Sequence, residues 1–327
     1  MSCMLVITSK GISRPFIENI VESLKNLIGD VSLVDPATVS KSDIHIELDY
    51  NSKNAKLIGN FNVLILFEPK TVLPRQYKKS ILNKFDLIIP LGNIRAKNLG
   101  LNYWAPYPYN FVINKFNENL RIKNVVMVNS AKFSSNRSSL YGLRRIVSKE
   151  LNSLEIGFDL IGDNWKMSKL KEFRERIWAI RKDFKAGNLI SFKEAFSEFF
   201  YTYPEYIGRC DNKIETMSHY KYALVIENEG DFISEKLLDA IAARCVPIYV
   251  GDNLSDFKKL REGIILMDPD KNKIIDFFKK DNDKLYLYKK QFIDNPKNYI
   301  DDIMFFSVDN SSKIIAEIIA NKVISNK

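Results

Sequence analysis

The residues best suited to chemistry lie in one run, 220–252, which reads YKYALVIENEGDFISEKLLDAIAARCVPIYVGD. Its early part, Tyr222-Ala223-Leu224-Val225-Ile226, is apolar and strand-like. Five polar or flexible residues follow, Glu227 to Asp231. Ser234 then stands where a helix N-cap is favoured, because its hydroxyl can accept from a backbone N–H of the first turn. Glu235 and Lys236 occupy that turn, with Leu237, Leu238, Ile241 and Ala242 along one face behind them. A cation in the first turn opposes the helix dipole, at a cost of about 0.3–1 kcal/mol. A bound phosphate reverses that balance, since the helix end and the ammonium both favour an anion. Pro247 to Gly251 then forms another strand and turn. The order is strand, polar loop, helix start with a Glu-Lys pair, strand, glycine. That outlines a site for a nucleoside diphosphate. The Glu-Lys pair by itself also fits a solvated helix start.

Other chemistries lack their residues. His45 and His219 are the only histidines, and neither has a Ser or Cys nearby that suggests a triad. The alternation of Ile44, His45 and Ile46 predicts that His45 faces outward from its strand. Three widely spaced cysteines give neither a disulfide framework nor metal-ligand spacing. No Walker pattern, no G-x-G-x-x-G and no H-E-x-x-H occurs. No Asp-x-Asp pair ends a strand; Asp268-Pro269-Asp270 follows the last one and reads as a turn.

Short β-branched runs alternate with helical patterns through the 327 residues. Predicted strands are 4–7, 31–34, 44–47, 63–67 and 86–89, then 125–129, 158–161, 222–227, 247–250 and 264–267. Residues 15–28 space Phe16, Ile17, Ile20, Val21 and Leu24 as a helix face. The segment 166–206 reads as two inserted helices, and 311–323 as a last helix. This alternation, occurring twice, predicts an α/β fold: two Rossmann-like domains facing a cleft, with ligand at the carboxyl ends of the strands. The break lies in the polar, aromatic stretch 103–123. The expected division is 1–120, 121–305 and a C-terminal helix at 306–327.

Hydrophobic residues make up 46% and charged residues 27%, which excludes a disordered chain. No apolar run reaches the roughly 18 residues of a membrane span. The start, Cys3 to Ile7 followed by Thr8-Ser9-Lys10-Gly11, reads as a strand rather than a leader, and a cytoplasmic setting is expected. The net charge of +9 favours anionic partners, including an anionic membrane surface. The lysines are interleaved with acids and no nucleic-acid motif occurs, so nucleic acid is not an expected partner.

The 220–252 run resembles the donor segment of the α1,3-fucosyltransferases, glycosyltransferase family 10. That family carries Y-K-F-x-L-x-F-E-N, then Y-V-T-E-K-L, then V-P-x-Y-x-G. Here these are Tyr220-Lys221-Tyr222, Glu227-Asn228, Phe232-Ile233-Ser234-Glu235-Lys236-Leu237 and Val246-Pro247-Ile248-Tyr249-Val250-Gly251. Phe232 replaces the family's loop tyrosine and Ser234 its threonine. Asn136-Arg137 with Tyr141 and Leu143 resembles the N-x-x-R-x-x-x-Y-x-x-L stretch, and Gly162 to Trp165 resembles a G-x-x-W turn. The resemblance implies a GT-B-type glycosyltransferase that moves fucose from GDP-fucose, with inversion, to a glycan or glycoconjugate hydroxyl. It implies donor contacts from Arg137, Glu227, Asn228, Phe232, Ser234, Glu235, Lys236 and Tyr249. Arg137 would bind the phosphates, with Arg144 and Arg145 as neighbouring alternatives. Leu64 to Pro69 resembles the family's F-x-x-G-E-x-x-x-P turn, which makes Glu68 the general base, with Glu47 as the nearest substitute. Lys236 and Arg137 would stabilise the leaving diphosphate, so no cofactor and no divalent metal is expected to be essential.

Overall fold

The computed structural model describes residues 4–7, 14–35, 38–50, 57–111 and 121–325. Cys3, Thr8 to Gly11 and the middle of the 103–123 stretch lie outside the described residues. The chain forms two compact units, Met1–Asn110 with Met304–Lys327, and Phe111–Ile303.

Unit 1 holds five parallel strands: β1 (Met4–Ile7), β2 (Val31–Leu33), β3 (Ser42–Leu48), β4 (Gly59–Leu66) and β5 (Leu87–Pro90). Their order is β2-β1-β3-β4-β5. Helix α1 (Arg14–Ile28) joins β1 to β2 and buries Phe16, Ile17, Ile20, Val21 and Leu24, the face that its spacing predicts. Short helices α2 (Lys79–Leu82) and α3 (Asn93–Asn98) flank β5.

One expectation fails here. His45 does not face outward; it is buried. β3 pairs with β1 on one side and β4 on the other, and a central parallel strand is covered on both faces. Alternation therefore carries no inside-outside meaning in this strand. The His45 Nδ1 accepts from the Ile58 N–H at 3.3 Å, which leaves Nε2–H to donate to Glu47 Oε1 at 3.2 Å.

Unit 2 holds six parallel strands: β6 (Lys123–Val128), β7 (Phe158–Ile161), β8 (Tyr206–Gly208), β9 (Tyr220–Ile226), β10 (Val246–Val250) and β11 (Ile265–Leu266). Their order is β11-β10-β9-β6-β7-β8. The chain starts at β6 in mid-sheet, runs outward to the β8 edge, then returns to β6's other side and runs out to β11. The direction of winding reverses between β6 and β9. β8 is the one strand of this sheet that the sequence did not suggest. It has three residues, sits at the edge and buries none of them fully, so it carries no apolar signal.

The helices of this unit are α4 (Tyr141–Asn152), α5 (Lys169–Ala186), α6 (Phe192–Phe196), α7 (Lys213–Ser218), α8 (Glu235–Ala242), α9 (Lys258–Glu262), α10 (Lys271–Phe278) and α11 (Asp283–Asp294). A further short helix, α12 (Ile300–Met304), ends the unit. The core is built from Val125 and Met127 of β6, Leu160 of β7, Leu224 and Ile226 of β9, and Val246 and Ile248 of β10, closed by Val147 and Leu151 of α4.

The last helix, α13 (Val308–Ser325), belongs to unit 1 rather than standing apart. It packs against α1 and buries Ile315, Ala316, Ile319 and Ala320. Its Ser311 hydroxyl donates to the Pro106 carbonyl at 2.8 Å. An apolar face of this kind needs a partner surface, and the first helix of the chain supplies it.

Gly162 ends β7 in the left-handed region, with φ of +139°. A Cβ there would lie 2.6 Å from the carbonyl carbon of Asn129, where β6 ends. Both the backbone angle and the contact demand glycine. Gly162→Ala is expected to cost at least about 2 kcal/mol. Urea denaturation of unit 2 or of the whole chain measures this, and an unchanged midpoint would contradict the close approach of the two strand ends.

Candidate active site

In open α/β sheets, ligands bind outside the carboxyl ends of the strands, where the winding reverses. In unit 2 that point lies between β6 and β9. β6 runs into Asn129. β9 runs into Glu227, Asn228 and Glu229, all three buried.

Glu227 organises the loop. Its side chain has no exposure. Oε1 accepts from the Ser234 N–H at 2.9 Å, and Oε2 lies 2.7 Å from the Ser234 hydroxyl and 3.3 Å from Lys236 Nζ. Ser234 is the N-cap of α8, as its residue type predicts, and its oxygen accepts from the Lys236 N–H at 3.3 Å. The Lys236 ammonium also lies 2.9 Å from the Ser234 hydroxyl. Lys236 is therefore pinned over the first turn of the helix rather than free to swing. Its third contact, to Glu235 Oε1, is the longest at 3.5 Å. Burial raises the pKa of Glu235, but Lys236, a backbone N–H and Lys213 outweigh it and hold the carboxyl below its ordinary value.

The three arginines that the sequence left in competition separate here. Arg144 is buried, and it donates to the Ile226 carbonyl at 2.6 and 3.0 Å and to Asn228 Oδ1 at 3.0 Å. Burial lowers its pKa, opposed by Tyr141 and Glu227. Arg145 is buried too, and it donates to the carbonyls of Lys132 and Glu194 and to Ser197. Burial, with Arg176 beside it, brings its pKa down to about 10. Both guanidinium groups are consumed in holding loops. Arg137 is exposed, in the turn just ahead of α4. That turn is tied to the β9 loop by the Leu140 N–H, which donates to the Asn228 carbonyl at 3.1 Å. Arg137 and the start of α8 thus flank one loop.

Two residues of the predicted donor set lie beneath the site instead of facing it. Tyr249 is buried, and its hydroxyl donates to the Phe232 carbonyl at 3.2 Å and accepts from the Asp252 N–H at 3.3 Å. Burial, then Glu227 and Asp252, push that hydroxyl's pKa well up. The Phe232 ring is buried as well. Gly251 fits because a Cβ would lie 2.8 Å from Glu227 Cγ. The Val-Pro-x-Tyr-x-Gly pattern is thereby a packing pattern that supports the Glu227 loop from below.

Asn129 is a candidate that sequence reasoning missed. Its Oδ1 is buried without a hydrogen-bond partner among the described residues. Its carbonyl accepts from the Trp165 indole N–H at 2.5 Å, which gives the G-x-x-W turn a structural task. Asn129 lines a small recess together with Lys213, Lys236 and Asp239. Only its place as the last residue of a predicted strand could have marked it.

In unit 1, Glu68 follows β4 and is half-buried. Asp49, which itself has a positive φ of 56°, accepts from the Phe67 and Glu68 N–H groups, both at 2.9 Å. Gln76 and Tyr77 donate to the Glu68 carbonyl at 3.1 and 2.8 Å. Burial raises the Asp49 pKa, opposed by those N–H donors, Gln76 and Arg95. The Glu68 turn is held by hydrogen bonds to its backbone N–H and carbonyl. Glu47, the substitute, is buried near the carboxyl end of β3, where its Oε1 accepts from the His45 Nε2–H at 3.2 Å.

No protein-family model matches the chain, and no curated protein matches it in sequence. Solved structures do match. A glycosyltransferase from Rickettsia africae ESF-5 aligns over 100% of both chains, with 12% identity and a TM-score of 0.55. The Anabaena HepE protein, in complex with UDP and glucose, aligns over 98% of this chain and 100% of its own, with 10% identity and a TM-score of 0.53. An α1,3-fucosyltransferase with GDP aligns over 99% of this chain and 90% of its own, with 15% identity and a TM-score of 0.45. At these identities the likeness is one of fold. The α/β fold with parallel sheets is that of GT-B-type glycosyltransferase structures.

Ser234→Ala removes the α8 cap and the hydroxyl donor to buried Glu227, while the backbone N–H at 234 stays. The expected cost is about 1–3 kcal/mol at neutral pH, while Ser234→Thr keeps most of the stability. Equilibrium denaturation of both variants checks this; equal stability of the alanine variant and the parent would mean that Glu227 does not depend on the cap.

Proposed function

We propose that the protein is a glycosyltransferase whose nucleotide-sugar donor binds in unit 2 between the ends of β6 and β9. The finer reading is transfer of fucose from GDP-fucose to a glycan or glycoconjugate hydroxyl, with inversion. One observation supports the donor site itself: a lysine pinned at a helix start, with an exposed arginine in the turn tied to the same loop, at the reversal point of a Rossmann-order sheet. Helix N-termini and guanidinium forks are the common holders of diphosphates.

In this reading Lys236 and Arg137 meet the diphosphate, and Glu235 yields its long contact with Lys236 as phosphate oxygens arrive. Ser234, Glu227, Asn228, Phe232 and Tyr249 hold the loop in shape. The acceptor oxygen attacks the anomeric carbon, and the bond from that carbon to the diphosphate breaks. Glu68 takes the acceptor's proton. The leaving diphosphate is stabilised by side-chain cations and the helix end, without an essential metal. HepE's complex with UDP and glucose favours a second reading on the same fold, in which the donor carries UDP.

A panel of GDP, GDP-fucose, UDP and UDP-glucose, tested by calorimetry with EDTA present, separates the two. GDP and GDP-fucose are expected to bind. Lys236→Ala and Arg137→Ala should each weaken that binding by about 1.5–3 kcal/mol, the scale of a lost charged hydrogen bond. Binding of UDP alone would select the second reading, and undiminished binding by both variants would move the diphosphate elsewhere.

Glu68→Gln tests the base. Donor affinity should stay within about twofold, and transfer should fall by about two to four orders of magnitude in turnover. Near-normal transfer would remove Glu68 from the chemistry.

A further inference from the structure

Helix α5 is built inside out. Its inward face carries Glu172, Arg176, Ala179 and Asp183, all buried. Glu172 Oε1 accepts from Arg176 at 2.5 Å, and Asp183 accepts from the Ser134 hydroxyl and the Ser135 N–H at 2.9 and 2.7 Å. A helix held by buried ion pairs and hydrogen bonds leaves its apolar residues on the other side. There they are: Leu170 is 62% exposed, Trp178 60% and Phe184 73%, with Phe173 and Ile177 between them. The ring of Phe173 continues through Phe199 to Phe200, which is 87% exposed.

The charges on that outer arc are mostly positive. At 3.6 residues per turn, Lys171, Arg174, Arg181 and Lys185 lie among or beside Leu170, Ile177 and Trp178. The helix has three acids. Glu172 and Asp183 point inward. Glu175 is the one acid at the arc's edge, exposed beside Arg174 and Trp178, against the four cations Lys171, Arg174, Arg181 and Lys185.

We propose that this outer face of α5 docks on an anionic lipid bilayer. Cations and stacking aromatics alone would serve a nucleic acid, which gains nothing from the aliphatic Leu170 and Ile177. Aliphatic and aromatic side chains flanked by Arg and Lys match a surface with acyl chains beneath an anionic headgroup plane. No described helix is long and apolar enough to cross a membrane, so the contact is peripheral. The proposal is independent of which nucleotide the protein binds.

The test is co-sedimentation of the full chain with vesicles of phosphatidylcholine, with and without about 30% phosphatidylglycerol. Binding to the anionic vesicles should exceed binding to neutral ones by at least about tenfold and weaken in salt. Trp178→Ser with Phe184→Ser should cut it by about tenfold or more, and Arg174→Glu with Arg181→Glu should abolish the preference for anionic lipid. These positions face outward, so circular dichroism and thermal midpoint should be unchanged. Absence of binding to the anionic vesicles, equal binding to both kinds, or indifference to both double variants would overturn the proposal. So would displacement of the vesicles by a short RNA.

Discussion

A carboxylate with no access to water must be matched where it stands, because an unpaired buried charge costs several kcal/mol. Glu227 is such a group, and the site in unit 2 is arranged around it. Its partners are the N–H and hydroxyl of Ser234 and the ammonium of Lys236. Those contacts fix where α8 begins and which way its first turn points. They also force Lys236 into a position that the helix dipole disfavours. Tyr249 and Gly251 pack close to it: the Tyr249 phenol and the Glu227 Cγ leave no room for a side chain at 251. Removing water from the loop is thus what makes a cation at a helix start stable before any anion binds.

The same constraint recurs in the rest of unit 2. Arg144 is buried against the end of β9 and gives its donors to Ile226 and Asn228. Arg145 and Arg176 do likewise for the loops around α6, with Arg176 donating to the Ala195 carbonyl. Each of these arginines gives its donors to the protein, whereas Arg137 is exposed. On α5 the buried Glu172, Arg176 and Asp183 invert the usual sense of the helix and turn its apolar residues to the outside. Buried charge therefore shapes both the interior of the unit and the chemistry of its surface.

Unit 1 uses a carboxylate in the opposite way. Asp49 spends both oxygens on backbone N–H groups, and Gln76 and Tyr77 fix the carbonyl of Glu68. The framework is built from backbone groups, the Gln76 amide and the Tyr77 hydroxyl, and it fixes the Glu68 turn through its main chain. Glu47 differs from Glu68 in its surroundings: it is buried within β3 beside His45, whereas Glu68 is half-buried in a turn.

The sequence alone was enough for features set by local chemistry. β-branched runs became strands from β1 through β11 with β8 excepted, α1 buried the face that its spacing marks, and Ser234 capped α8. These depend on neighbours within a turn or a few residues. The tertiary structure decided what depends on partners far along the chain. His45 turned inward because β1 and β4 cover both sides of β3. Arg137 was separated from Arg144 and Arg145 by carbonyls up to 82 residues away. Asn129 gained its place only when β6 and β9 became neighbours across the reversal of the sheet, and β8 formed only because β7 offered an edge to pair with. Phe232 and Tyr249 are buried, with the Tyr249 hydroxyl donating to the Phe232 carbonyl. Residue type and spacing state what a side chain can do; burial and long-range pairing determine which of those possibilities is already taken.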